Sequence, residues 1–239
     1  MKKLLLVAIC ASAVAAFGAD VPVALGEVGV TAVSSSTANT IVAVSYEDLG
    51  GGNVTASNLV KTANLTVGDL LYVYNDASFD AFELAESGGV LYWRPSTVVS
   101  PLDTGISVSK SSSADSIRIA VGKGVWLIRS NWDGNPFTFY IYGKPVTSLD
   151  PVSVTSGTSA LVGNPTQSAA SPSITVGPNN GDQIIVPASN GAGVLRWKYN
   201  SSQEKWSYGK PSAARSTPPE IPAGTGFWYV AAGAVTFGG

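Results

Sequence analysis

The chain has 239 residues, 45% of them apolar and only 13% charged, with a net charge of −2. Such a composition excludes an unfolded chain, and the charge balance lacks the basic footprint of a nucleic-acid binder. There is no histidine, and the single cysteine and single methionine, Cys10 and Met1, both lie at the extreme N-terminus.

Met1 to about Ala19 has the form of a signal peptide. Lys2 and Lys3 are its basic end, and Leu4–Ala16 is a short apolar run closing on small residues. Cleavage is expected after Ala16, Gly18 or Ala19. The run is too short to span a bilayer comfortably, and no later segment approaches the length of a membrane span. The bulky Ile9 before Cys10 argues against lipid attachment there. Cleavage would remove Cys10, Met1, Lys2 and Lys3, taking the net charge to −4. The mature chain would then lack every thiol, thioether and imidazole. Disulfides, the usual zinc, copper, haem and iron–sulfur ligands, and Ser-His-Asp or Cys-His catalysis are all excluded. No cofactor, metal site or catalytic residue is expected.

Val28–Val33 reads as a first strand, and Thr40–Tyr46, rich in β-branched residues, as a second. Residues 47–53 form a Gly-rich turn, and 55–63 hold one helical turn with Ser57 as its cap. Leu70–Tyr74 is a strand after the Gly68-Asp69 turn, returning through a hairpin at Asn75–Ser78 into Phe79–Leu84. Val90–Trp93 follows Gly88-Gly89. Residues 94–116 read as a long loop with one weak strand. Next comes Ile119-Ala120-Val121-Gly122-Lys123-Gly124-Val125-Trp126-Leu127-Ile128: an apolar approach, a Gly-x-Gly turn and an aromatic strand. After the turn Asn131–Pro136, Phe137–Tyr142 alternates, with Phe137, Phe139 and Ile141 on one face. Residues 144–158, with Pro145 and Pro151, read as a junction.

Beyond it the pattern returns. Ser159–Pro165 matches 39–45, Gly181–Val186 matches Gly68–Val73, and Val194–Trp197 matches Val90–Trp93. Ile221–Val230 matches Ile119–Ile128, and Ala234–Phe237 matches the region of Phe137–Phe139. The offset shrinks from about 120 to about 102 residues along the chain, so the second copy has shorter loops. The expected fold is all-β: two related β-sandwich or barrel-like modules from an internal duplication. Residues 1–19 are the signal peptide, 20–148 the first module and 149–239 the second. Within the second, Leu195, Trp197 and Tyr199 alternate with Arg196 and Lys198, and Lys205–Tyr208 returns as a hairpin arm. Tyr-Gly-Lys-Pro occurs twice, at Tyr142–Pro145 and Tyr208–Pro211, and reads as a reused turn.

Leu161-Val162-Gly163-Asn164-Pro165, then Trp197-Lys198-Tyr199-Asn200 and Lys205-Trp206, then Ile221–Trp228 resemble a β module of many secreted bacterial proteins. In that module "lvGNP", an aromatic hairpin and "ipaGxGFw" follow in this order. The whole chain resembles an uncharacterised family of exported two-copy β proteins. Residues 156–239 fit well. Residues 37–143 fit less well, lacking Gly-Asn-Pro and carrying Val125 in place of Phe227. The resemblance implies a compact β module at the cell surface and brings no catalytic residue.

Both Gly-x-Gly turns lead into strands, not helices, so they are not phosphate loops. They are expected to serve backbone geometry, turning Trp126 and Trp228 inward. The matching assigns Trp93, Trp126, Trp197 and Trp228 to packing. It leaves Trp132 and Trp206 beside turns, where with Tyr199 they are candidates for stacking on sugar rings. Tyr72, Tyr74, Tyr92 and Tyr208 extend such a surface or cover the sheet. Asp76, Asp80, Glu83 and Glu86 read as solvated charges, not as a glycosidase pair. Asp133-Gly134-Asn135 falls short of a calcium loop. The function expected is an exported non-enzymatic structural or interaction protein, secreted or at the cell surface, with self-association as its first partner class. A carbohydrate-binding protein with a glycan partner is the alternative.

Overall fold

The computed structural model describes residues 29–35, 38–59, 65–76, 78–97, 108–109, 113–146, 149–165, 169–188, 194–209 and 214–238. The expected signal peptide lies outside them. With 51% of the described residues in strands and 2% helical, the class is all-β.

In the first half, β2 (Asn39–Ala43), β4 (Leu70–Tyr74), β5 (Phe79–Ser87), β6 (Val90–Pro95) and β9 (Gly124–Ile128) form one antiparallel sheet, ordered β2-β9-β4-β5-β6. The short β7 (Val108–Ser109) pairs with β5 in parallel. In the second half, β12 (Ser159–Gly163), β14 (Gln183–Pro187), β15 (Val194–Asn200), β16 (Lys205–Tyr208) and β17 (Gly226–Val230) are ordered β12-β17-β14-β15-β16. The registers agree: Ile41 lies opposite Trp126 and Leu161 opposite Trp228, while Tyr72 and Ile185 flank the same tryptophans from the other side.

Each sheet is covered on one face by a smaller one. β1 (Gly29–Ser35) pairs with β10 (Phe137–Gly143). β11 (Val152–Val154) and β13 (Ile174–Val176) flank β18 (Val235–Phe237). Between β2 and β4, β3 (Val54–Thr55) leads into a single helical turn, α1 (Ala56–Leu59), and β3 pairs with β8 (Arg118–Ile119). The Thr55 hydroxyl, not Ser57, accepts the Asn58 N–H at 3.2 Å and caps that turn.

The strand alternation is satisfied in an unexpected way. On β9, Val125 and Leu127 enter the core of the first half, while Trp126 and Ile128 enter a different cluster. On β17, Phe227 and Tyr229 face the core of the second half, and Trp228 joins Trp126. That shared cluster takes Ile41, Tyr72, Phe79 and Ala81 from the first sheet and Leu161, Ile185 and Trp228 from the second. Trp228 meets the ring of Tyr74 edge-on at 4.7 Å and that of Phe79 at 5.4 Å. At β9 and β17 the two large sheets are therefore buried on both faces, which is why 125–128 and 227–230 are unbroken apolar runs rather than alternating ones. Among the described residues the buried Trp126 indole N–H finds no hydrogen-bond partner.

The backbones also meet. The Ala43 N–H donates to the Gly224 carbonyl at 2.9 Å, and the Gly163 N–H to the Gly122 carbonyl at 2.8 Å. These bonds join equivalent positions reciprocally, as two copies related by a two-fold axis would.

One expected match is displaced. Trp93 on β6 lies opposite Leu84, and Trp206 on β16 lies opposite Tyr199. Trp93 therefore occupies the position of Trp206, while Trp197 occupies that of Phe82. The Val-Leu-x-Trp likeness joined two different arms of the hairpin, because both arms alternate aromatics with polar residues. Residues 149–158, read as a junction, contain β11.

Candidate functional site

Among the described residues, no group of three or more Cys, Asp or Glu side chains is placed to hold a metal ion. The two most buried carboxylates are committed to the backbone. Asp182, fully buried, accepts the N–H groups of Asn179 and Ala232, both at 2.6 Å, and the Tyr229 hydroxyl at 2.7 Å. Burial, followed by this bond and the carboxylate charge, pushes the Tyr229 hydroxyl well above its usual range. Asp69 repeats the arrangement, accepting Thr66 N–H at 2.9 Å and Ser130 N–H at 3.1 Å, with the Arg129 guanidinium at 3.6 Å in place of a tyrosine. Each aspartate ties the turn before the central strand to the end of the Gly-x-Gly strand. Sequence reading matched Gly68-Asp69 to Gly181-Asp182 but missed this role. An aspartate after a turn glycine directly before an apolar strand was the available signal.

The candidate stacking residues divide. Trp132, half-buried on the turn after β9, donates its indole N–H to the Asn135 carbonyl at 3.0 Å. The backbone and then the side-chain N–H of Asn135 donate to Asp133 and hold its carboxyl below the usual range. Trp206 was expected to be exposed and is buried, with only 1% of its surface accessible. The reason is local: the Trp206 N–H and carbonyl exchange two 2.7 Å hydrogen bonds with Arg215, which adds a backbone segment outside β16. The Arg215 guanidinium lies 5.2 Å from the Trp197 ring centre. Tyr199 is half-buried, and its ring centre is 5.2 Å from that of Trp206, with the planes tilted by 49°. Tyr199 and Trp206 are thus brought together, whereas Trp132 belongs to a turn of the other half.

These two rings line an open recess of about 260 Å³. Pro172, Ile174 and Pro178 wall it from the β12–β14 connection, and Ser216 and Pro218 from the β16–β17 connection. The Ser171 hydroxyl donates to the Pro218 carbonyl at 3.0 Å, and Ala170 and Ile221 exchange backbone bonds of 3.1 and 2.9 Å, pinning the walls together.

Comparison with family models, curated proteins and solved structures finds no match to this chain. Two of the stretches singled out in the sequence meet in space. The Asn164 side-chain amide donates to the Ile221 carbonyl at 2.8 Å, and its N–H to the Thr225 carbonyl at 2.7 Å. Gly163-Asn164 and Ile221–Gly226 are two sides of one contact, set where the halves meet.

Proposed function

We propose that this chain is an exported, non-enzymatic structural or interaction protein of the cell surface or extracellular matrix. It is built by internal duplication and associates with copies of itself. The observation that carries the reading is the outer strand β6. It presents Val90, Leu91 and Tyr92, with 65%, 44% and 46% of their surface accessible. Among the described residues no strand pairs with its outer edge. A bare apolar strand edge is a template for pairing with another chain, and proteins that stay monomeric usually block it. In the second half the equivalent edge, β16, is blocked by Arg215. The common order and register of the two large sheets support the duplication, and the basic-apolar-small pattern of residues 1–19 supports export.

Sedimentation and electron microscopy of the protein secreted under its own N-terminus test this reading. The expected outcome is concentration-dependent association that Leu91→Lys weakens by about tenfold or more. A strict monomer at the highest soluble concentration contradicts it.

A further inference from the structure

We propose that the recess beside Tyr199 and Trp206 is a binding site for a single uncharged sugar ring. The two halves differ most at this place. In the first half the matching pair, Leu84 and Trp93, lies in one buried cluster with Ala56, Leu65 and Ala114, and Ile117 packs against it. Those four residues come from the β2–β4 and β6–β9 connections. In the second half the same two connections are shorter, and they supply Pro172, Pro178, Ser216 and Pro218 around an open space. Apolar filling in one half is replaced by a walled opening in the other.

The chemistry of the walls selects the ligand. Among the described residues no charged side chain lines the recess, so an ionised ligand would lose water without gaining a counter-charge there. A sugar ring presents C–H-rich faces and a periphery of hydroxyls. The lining offers the half-buried Tyr199 ring, backed by the buried Trp206, and proline ring faces, together with the hydroxyls of Tyr199 and Ser216. Flat aromatic faces serve in the same way as stacking platforms for other rings. The volume falls just below the usual 300–1,000 Å³ range of small-molecule sites, which favours one ring over an extended chain. Prolines hold the walls in one shape, so little ordering accompanies binding. Grooves that capture proline-rich peptides have the opposite arrangement, with aromatic walls and prolines on the ligand. The site lies on the half opposite to β6, so it does not depend on self-association.

The test is a glycan array of neutral mono- and oligosaccharides, probed with the full secreted chain, with tryptophan fluorescence titration of any positive. Ser216 is exposed, so Ser216→Arg fills the mouth without disturbing the core, and Tyr199→Ala removes the accessible ring. The expected result is binding of at least one neutral saccharide, weakened about tenfold or more by each variant. Leu91→Lys and Trp132→Ala should leave it unchanged. The proposal is overturned by an array with no neutral saccharide bound, by binding insensitive to Ser216→Arg, by loss of binding in Trp132→Ala, or by capture of a proline-rich peptide at the site instead.

Discussion

Gly226→Ala is expected to destabilise the protein by about 3 kcal/mol, the upper end of the range for overpacking. A Cβ at Gly226 would lie 2.5 Å from the Val162 carbonyl oxygen and 2.8 Å from Ile41 Cγ2. The first is backbone in the adjoining strand β12, and the second belongs to the other half. The carbonyl cannot shift without disturbing strand pairing, and the Ile41 side chain is packed in the cluster shared by the halves. Gly163→Ala should behave alike, its Cβ falling 2.7 Å from that of Ala43 and 2.9 Å from the Lys123 carbonyl oxygen. Adding Ala43→Gly should return part of that loss, because the contact with the Ala43 Cβ disappears while those with the Ala43 Cα and the Lys123 carbonyl oxygen, both at 2.9 Å, remain. Gly50→Ala meets nothing but the Asp48 side chain, at 3.4 Å, and should stay within about 0.5 kcal/mol of the parent. Urea denaturation midpoints order the four variants. Equal values for Gly226→Ala and Gly50→Ala would refute the close approach.

Asp182→Ala should cost about 3–5 kcal/mol, because several buried donors lose a charged acceptor at about 1–3 kcal/mol each. The loss strands the N–H groups of Asn179 and Ala232 and the Tyr229 hydroxyl. Tyr229→Phe should cost less, about 1–3 kcal/mol, because the carboxylate keeps its backbone donors. In the double variant the losses should not add, since both changes act on one network. Chemical denaturation of the three variants measures this. A loss below about 1 kcal/mol for Asp182→Ala would mean that water takes over its bonds.

Much of the fold was legible in the sequence because its strands carry local signals. Leu70–Tyr74 and Lys205–Tyr208 fall where β-branched and aromatic residues between turns placed them. What lay beyond reach depended on distant partners. Both Gly-x-Gly turns were read as one device, yet their two glycines serve different ends. Gly122 and Gly224 take left-handed φ values of 88° and 67°, while Gly124 and Gly226 clear space for the other half. Trp126 and Trp228 do turn inward, but toward each other's half rather than their own core. Tyr199 and Trp206 are, with Trp132, the candidates for stacking on a sugar ring. The structure keeps the first two together and buries Trp206, because the covering segment at Arg215 arrives from a connection with no strand pattern of its own. The buried role of Asp69 and Asp182 needed the strand ends that they tie.

The two halves should unfold as a single unit, joined through Trp126, Trp228 and the reciprocal backbone bonds at Ala43 and Gly163. Differential scanning calorimetry of the purified chain tests that most directly. One transition, with calorimetric and van't Hoff enthalpies equal, is the result predicted, and Asp69→Ala should lower it as a whole. Two resolved transitions, with Asp69→Ala shifting one and leaving the other in place, would contradict it.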